Sequence, residues 1–166
     1  MKALLLADDG FEDLELFYPY FRLKEAGFDV VVASDAVRTL KGKRGYTYEA
    51  DLGYESVMAS DYDLLIVGGG KAPERIRQDK KALEIVKHFF EEDKVVGSIC
   101  HGPQVLISAD VLKNRKATSY EGVLDDLAMA GAKTCDAEVV VDGNLITSRK
   151  PADLSAFMGE IMKKIR

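Results

Sequence analysis

Short runs of apolar residues alternate with segments of helical periodicity from one end of the chain to the other. This alternation is typical of a sheet whose strands are joined by crossover helices. The strands predicted in this way are residues 2–7, 29–33, 63–67 and 95–99. The pattern therefore predicts a single α/β sandwich domain over residues 1–166, with a mainly parallel sheet and helices on both faces.

Three segments place apolar residues at helical spacing and predict helices. They are residues 12–25, 80–92 and 151–164. In the first, Pro19 should kink the helix or mark its real start, and Gly27 can end it in a left-handed conformation. Residues 39–52 predict short irregular strands or a hairpin, and residues 138–147 predict a hairpin that turns at Asp142-Gly143.

Composition narrows the possible partners. The 166 residues include 28 Asp and Glu against 23 Lys and Arg, a formal net charge of -5. Phosphate binding needs concentrated Lys and Arg, so nucleic acid is not expected as the main partner. Neither a membrane-length apolar run nor a signal peptide is visible, and we expect a cytoplasmic protein with no membrane partner. Two cysteines, Cys100 and Cys135, are too few for a disulfide framework.

The segment 95–104 contains the most informative pattern. A predicted strand runs directly into a helix through Cys100, which is flanked by Gly97 and Gly102. A reactive residue between small neighbours at such a turn is typical of a nucleophile elbow. There, the helix N-terminus favours thiolate over thiol and predicts a lowered pKa for Cys100. The alternative is a small buried hydrophobe at the end of a core strand, and the local pattern leaves both open.

Histidines are scarce in this chain. His101 directly follows Cys100 and is a candidate base for the thiol proton, although adjacent side chains usually point apart. His88 lies within a predicted helix and Cys135 has no comparable context, so both are interpreted as structural.

The glycines Gly68-Gly69-Gly70 follow a predicted strand at the same carboxyl edge of the sheet as Cys100. Ligands bind at that edge in doubly wound sheets, and glycines there can bring backbone amides close to an oxyanion. A tight strand-to-helix turn explains the glycines equally well. The spacing fits neither a dinucleotide-binding nor a phosphate-binding loop.

Acidic residues cluster after the first predicted strand. Asp8, Asp9, Asp13 and Glu15 are expected to cap a helix or to face solvent, although one carboxyl could approach Cys100. Glu74 lies in the loop after the three glycines and is interpreted, from its local pattern, as an ordinary surface carboxylate. The spacing of Cys, His and acidic residues predicts no metal site, and we expect no cofactor.

Several spaced motifs together resemble one known family. They are Phe11-Glu12-Asp13-Leu14-Glu15-Leu16, Gly69-Gly70 with Ala72-Pro73-Glu74-Arg75, Ser98-Ile99-Cys100-His101-Gly102-Pro103-Gln104, Thr118-Ser119-Tyr120, and Ser148-Arg149 with Pro151-Ala152-Asp153-Leu154. In these stretches the chain resembles the PfpI-type intracellular proteases. They belong to the class I glutamine amidotransferase-like superfamily, which also contains the DJ proteins. The resemblance runs end to end and implies a flavodoxin-like fold.

The resemblance also implies a catalytic set. Cys100 would be the nucleophile and His101 its general base and acid. Glu74 would orient a histidine of the neighbouring subunit, which implies a homo-oligomer, expected as a hexamer built from dimers. Glu12 would hydrogen-bond Cys100 and tune its thiolate.

Around this set, the backbone amides of Gly70 and His101 would form the oxyanion hole, and Gly69 and Tyr120 would line the substrate pocket. The family often has Pro where this chain has Gly68, and the extra glycine loosens the loop.

Three functional hypotheses follow. The first is a thiol protease that hydrolyses peptides. The second is a glyoxalase or deglycase that acts on methylglyoxal or its adducts with the same thiolate. The third is a redox-sensing stress chaperone, in which Cys100 is oxidised to sulfenic or sulfinic acid. The presence of His101 and Glu74 together with Cys100 favours catalysis.

Overall fold

The computed structural model describes residues 1–165. Its strands are β1 (Lys2–Leu6), β2 (Asp29–Ser34), β3 (Thr39–Lys41), β4 (Thr47–Glu49), β5 (Leu52–Gly53), β6 (Leu64–Val67), β7 (Val95–Ile99), β8 (Lys116–Ala117), β9 (Lys133–Thr134), β10 (Val139–Asp142) and β11 (Leu145–Ser148). Its helices are α1 (Asp13–Glu25), α2 (Ala72–Ile76), α3 (Lys80–Glu91), α4 (Pro103–Ser108), α5 (Leu124–Met129) and α6 (Leu154–Lys164).

A seven-stranded sheet has the order β10-β11-β7-β6-β1-β2-β5. All neighbouring strands in it are parallel except β10 and β11. Helix α1 packs against α6 on one face, and α3 packs against α4 on the other. This mainly parallel sheet between two helical layers confirms the predicted fold class.

The central strands β1, β6 and β7 place the site. Strand β6 is buried along its whole length, as expected for a strand covered on both faces. Its end at Val67 and the end of β7 at Ile99 lie at the same edge of the sheet, because the two strands are parallel. The glycine loop after β6 and Cys100 after β7 therefore meet.

Three local predictions need correction. Helix α1 starts at Asp13 and continues through Pro19, so Pro19 does not mark its start. The last hairpin turns at Gly143 and Asn144, one residue later than predicted, because Asp142 pairs with Leu145. The small parallel pair β8 and β9 has no counterpart in the predicted elements.

Residues 39–49 form the predicted hairpin, with β3 and β4 antiparallel. Its turn does not extend freely into solvent. Gly10 donates a hydrogen bond to the carbonyl of Lys41 over 2.8 Å, and the Lys43 amide donates to the Phe11 carbonyl over 2.8 Å. The tip of the hairpin thus lies against the loop between β1 and α1.

Candidate active site

Cys100 occupies a strained turn between β7 and α4. Its φ angle is +62°, in the left-handed region that residues with a side chain rarely adopt. Hydrogen bonds hold this backbone from both sides: the Cys100 amide donates to the Ser148 carbonyl over 3.0 Å, and the Tyr120 amide donates to the Cys100 carbonyl over 2.9 Å. A side chain at Gly102 would overlap the Val67 carbonyl. The predicted nucleophile-elbow geometry is therefore present.

Polar groups surround the sulfur of Cys100, which is 7% exposed. The sulfur lies 3.2 Å from Nδ1 of His101, so these adjacent side chains do meet. The backbone amides of Gly70 and His101 also lie close to the sulfur and favour its thiolate form. The carboxyl group of Glu15 lies beside the thiol, and its Oε1 is buried without a hydrogen-bond partner among the described residues.

Glu15, and not Glu12, is the carboxylate beside Cys100. Oε2 of Glu12 accepts hydrogen bonds from the amides of Leu14 and Glu15 at 2.9 and 3.2 Å, so this side chain is the N-cap of α1. Glu15 lies one turn further along the helix, where the same face points into the sheet edge. The prediction that Glu12 contacts the thiol is therefore wrong. Glu15 neither caps the helix nor faces solvent, as favoured for the acidic residues after β1, but is the one carboxyl that approaches Cys100, the alternative that the sequence left open.

Local sequence carried no signal that selects Glu15. The N-cap fixes where the helix begins, but which face of its first turn points towards the sheet edge depends on contacts with distant residues such as Gly69. Asp13 also differs from expectation. It is 3% exposed and its carboxylate accepts the amides of Arg44 and Tyr46, so it anchors the hairpin instead of facing solvent.

Gly69 leaves the space in which the two reactive side chains meet. A Cβ at this position would lie 2.5 Å from Oε2 of Glu15 and 2.7 Å from Cβ of Cys100. The Gly69 amide also donates to Oε2 of Glu15 over 2.7 Å. Gly70 has a φ angle of +77°, and a Cβ there would overlap the Gly10 carbonyl. Both positions therefore require glycine.

Burial determines the pKa values of Glu15 and Cys100. It raises the pKa of Glu15 to about 7, with the amide of Gly69 acting in the opposite direction. Burial, followed by the negative charge of Glu15, raises the pKa of Cys100 to about 12. The predicted lowering of the thiol pKa is therefore wrong. The short helix α4 and the two nearby amides favour the thiolate, but a neighbouring carboxylate and the loss of water outweigh them.

The pair can nevertheless supply a thiolate. Each group disfavours a negative charge on the other, so the two share one negative charge more readily than they carry two. When Glu15 holds the proton, its charge no longer opposes ionisation of Cys100, and its O–H can donate to the sulfur. Proton transfer from the thiol to the carboxylate is therefore one route to a thiolate, and Nδ1 of His101, 3.2 Å from the sulfur, offers a second proton acceptor.

His101 is poised to accept or return a proton. Burial lowers the pKa of its imidazole, Lys43 lowers it further, and Glu74 opposes both. The ring stacks on Tyr120 with a centroid distance of 4.7 Å and an interplanar angle of 22°. Tyr120 lies beside the reacting groups, where its ring also limits the orientation of His101.

Other candidate residues lie away from the thiol. Glu74 is exposed on α2, and within residues 1–165 its carboxylate has no hydrogen bond or ion pair. His88 is on α3 and Cys135 is exposed, both apart from the groups that contact Cys100. The described part of the chain contains no cluster of three or more His, Cys, Asp or Glu placed to hold a metal ion. Nor does any helix among these residues have the length and apolar character to cross a membrane.

Fold and site define a flavodoxin-like α/β protein with a cysteine at a nucleophile elbow. The model of the DJ-1/PfpI family matches residues 1–164, and the chain belongs to that family. The resemblance on the sequence motifs is confirmed.

Similar proteins carry the names of enzymes. The chain is 53% identical to a protein named deglycase from Pyrococcus abyssi, over all of both chains. It is 51% identical to deglycase PfpI from Pyrococcus furiosus, and this alignment of 166 residues also covers the whole of both chains. A putative cysteine protease, YraA of Bacillus subtilis, is 42% identical over 99% of this chain and 98% of its own.

Solved structures show the same fold. The DJ-1/ThiJ/PfpI-like and ferritin-like two-domain protein of Anabaena variabilis is 39% identical, with a TM-score of 0.98 over 99% of this chain and 50% of that chain. DJ-1 of Schizosaccharomyces pombe is 25% identical, with a TM-score of 0.92 over 100% of this chain and 92% of its own.

Proposed function

We propose that this protein is a deglycase that uses the Cys100 thiol to attack carbonyl adducts of methylglyoxal. The observation that carries the proposal is the convergence of Glu15, His101 and the Gly70 amide on one sulfur. These contacts supply a proton acceptor and anion-stabilising donors at the atom that would react. Relatives more than half identical to the chain and named deglycase favour the same chemistry.

The reaction needs no oxidant or reductant. The sulfur of Cys100 forms a bond to the aldehyde-derived carbon of the adduct, the C–N bond breaks, and the amine leaves with a proton. A proton then moves from that carbon to the neighbouring carbonyl carbon, which converts the bound hemithioacetal into a thioester. Water cleaves the thioester, so the adduct and one water give the free amine and lactate.

Two groups can move the protons. Burial lowers the pKa of His101, which favours the neutral imidazole, so its Nδ1 can take the thiol proton. Glu15 has a pKa of about 7, which suits a group that must both accept and return a proton near neutral pH. The amides of Gly70 and His101 can stabilise the oxyanion that forms when water attacks the thioester.

The size of the site favours a small carbonyl group. Cys100 is 7% exposed and lies between Glu15, Gly69 and the stacked rings of His101 and Tyr120. A three-carbon fragment needs far less room at such a sulfur than an extended peptide does.

Peptide hydrolysis is the second candidate. The same sulfur, imidazole and amides are the parts that cysteine peptidases use, and the relative YraA is named a putative cysteine protease. An amide substrate would give an acyl-enzyme directly, with His101 protonating the leaving amine.

The deciding experiment compares wild type, Cys100→Ala and Cys135→Ala on the methylglyoxal adduct of N-acetyl-lysine and on a fluorogenic peptide panel. We expect lactate release from wild type and Cys135→Ala but not from Cys100→Ala. In D2O, a proton that exchanges with solvent during its transfer leaves deuterium on carbon 2 of lactate. Peptide cleavage without lactate release would establish the peptidase, and lactate release by Cys100→Ala would refute the thiol mechanism.

The proposal includes a homo-oligomer assembled from dimers, as in a hexamer, in which Glu74 orients His101 of a second copy. Within residues 1–165 the Glu74 carboxylate has no partner of its own.

An apolar surface that the copies could bury is available on each chain. This aromatic patch consists of Phe17, Phe21 and Tyr46 together with Leu14. Leu14, Phe21 and Tyr46 are 57%, 62% and 69% exposed. Phe17 contacts both Phe21 and Tyr46, with centroid distances of 6.2 and 5.8 Å.

Mixing two inactive variants tests this sharing. A dimer of one Cys100→Ala chain and one Glu74→Gln chain has one complete site when Glu74 acts on the other copy, and none when it acts within its own chain. Random pairing would restore up to about a quarter of the wild-type sites. Activity that stays at the level of the separate variants would refute sharing, and light scattering on Phe21→Glu would show whether the aromatic patch holds the copies together.

A further inference from the structure

The tip of the β3–β4 hairpin is fixed against the loop that precedes α1. The amides of Arg44 and Tyr46 donate to the two oxygens of the buried Asp13 carboxylate, over 2.8 and 3.0 Å. The Lys43 amide donates to the Phe11 carbonyl over 2.8 Å. A Cβ at Gly42 would lie 2.6 Å from Oδ1 of Asp13, so the backbone of the tip sits directly on this carboxylate.

The same loop lies against the oxyanion-hole glycines. Phe11 forms an antiparallel bridge with Gly70, and the Glu12 amide donates to the Gly69 carbonyl over 3.2 Å. Lys43, Phe11 and Gly70 therefore form three neighbouring backbone rows. At two row spacings, the Lys43 backbone is about 10 Å from Gly70, whose amide lies close to the sulfur of Cys100. The four-carbon stem of a lysine can span much of that distance.

The charge on this tip is available to a substrate. Lys43 is exposed, and its ammonium group has no ion-pair partner in the described part of the chain. Arg44, by contrast, is occupied, since its Nε lies 3.8 Å from Oε1 of Glu12. The positive charge of Lys43 lowers the pKa of His101 and opposes the raised pKa of Glu15, so it acts on both groups that contact the thiol.

We propose that Lys43 is a specificity-determining residue, whose ammonium group binds a carboxylate with its oxygens two or three bonds from the carbonyl carbon that Cys100 attacks. Carbonyl compounds that carry such a carboxylate, including 2-oxo acids and their adducts, are then bound more tightly than neutral ones such as methylglyoxal. This inference rests on the proposed function only in taking Cys100 as the reacting thiol.

Two alkylating reagents that differ in charge test the proposal without turnover. Iodoacetate carries a carboxylate with its oxygens two bonds from the carbon that the sulfur attacks, whereas iodoacetamide is neutral and of similar size. The ratio of their rates at Cys100, measured by peptide mass spectrometry, reports how the site treats an anion. Exposed Cys135 in the same molecule supplies the reference ratio.

The variants are Lys43→Met, Lys43→Arg and Lys41→Met. Relative to Cys135, we expect wild type to favour iodoacetate at Cys100. Lys43→Met should lower the ratio by at least about threefold, since the attraction of one neighbouring positive charge is lost in a dielectric between those of protein and water. Lys43→Arg should keep the wild-type ratio. Lys41→Met, the same change in net charge on the same hairpin, should also keep it. In 1 M salt the wild-type ratio should fall to that of Lys43→Met.

Glyoxylate, an aldehyde with an adjacent carboxylate, gives a second readout. Its aldehyde carbon forms a bond to the Cys100 sulfur and the thiol proton moves to the aldehyde oxygen, so the thiol is protected reversibly from iodoacetamide. Lys43→Met should need several-fold more glyoxylate for half protection, with no change for neutral propionaldehyde.

Equal alkylation ratios in wild type and Lys43→Met would overturn the proposal, as would the same loss in Lys41→Met or failure of both reagents to reach Cys100. Because alkylation needs no turnover, a Lys43-dependent ratio without lactate release would refute the deglycase function while leaving this inference standing.

Discussion

Replacing Glu15 by Gln should stabilise the folded protein at alkaline pH while it impairs catalysis. Glu15 is 1% exposed, and its pKa is about 7 in the folded protein against an ordinary value of 4.5. A raised carboxyl pKa means that the folded state holds the proton more tightly than the unfolded chain does. The protonated form is therefore favoured by folding, and stability is lost as the pH rises from 4.5 through 7.

The difference of 2.5 pKa units between these two values corresponds to about 3 kcal/mol at 1.36 kcal/mol per unit. Gln keeps the shape of the side chain and an oxygen that accepts the Gly69 amide, but it carries no charge to bury. We expect Glu15→Gln to be close to wild type in stability at pH 4 and more stable by about 3 kcal/mol at pH 8, a rise in Tm of about 10 °C.

The assay is chemical denaturation of wild type, Glu15→Gln and Glu12→Gln at several pH values from 4 to 8. Glu12→Gln is the matched control, because it removes the carboxylate at the N-cap of the same helix, which binds backbone amides and not the thiol. Turnover of Glu15→Gln should fall at the same time, since the amide cannot take the thiol proton. A stability difference between Glu15→Gln and wild type that stays flat or shrinks as the pH rises would refute the reasoning.

Further predictions concern the neighbours of the thiol. Gly69→Ala should reduce turnover at least about a hundredfold and destabilise the fold by about 1–3 kcal/mol, because the added Cβ must displace Glu15. Thermal melts and kinetic assays measure both effects. Gly159→Ala is the control, because a Cβ there meets no atom within 4 Å. Tyr120→Ala should lower kcat by about twofold to tenfold through loss of the stacking on His101, and Tyr120→Phe should restore it. Under mild peroxide, mass spectrometry should find Cys100 no more oxidised than Cys135 at pH 7, because its thiol pKa is raised; preferential oxidation of Cys100 would favour the redox-sensor hypothesis.

The predictable part of the fold has a direct physical basis. Leu64–Val67 is apolar at every residue because both faces of a central parallel strand are covered. The apolar character and the length of such runs were therefore enough to find β6 and β7. The two-residue strands β8 and β9 have no such pattern. They pair because α4 and α5, which precede them, bring these two segments together in the fold, and local sequence does not encode that contact.

The site was predictable where chemistry depends on backbone position. Cys100, His101 and Gly70 follow strand ends, and parallel neighbours bring strand ends together whatever the side chains do. Glu15 could not be singled out among the neighbouring acidic residues, and the position of Lys43 was not predicted, for a different reason. The former depends on which way a helix face turns after its cap, and the latter on a hairpin folding back across the β1–α1 loop, contacts that span residues far apart in the chain.

Two of the least favourable local features of this chain lie side by side at the site. Cys100 adopts a backbone conformation that costs about 1–3 kcal/mol for a residue with a side chain, and Glu15 is a carboxyl group removed from water. Neither residue stabilises the fold. Glycine in place of Cys100 would relieve the backbone strain, and glutamine in place of Glu15 would remove the buried carboxyl group. Each does serve the proposed chemistry, because the turn presents the sulfur to the Gly70 and His101 amides, and the burial gives Glu15 a pKa near 7. Local rules for stability would reject both residues, and the coincidence of the two at one sulfur argues that the arrangement is maintained for reaction and not for folding.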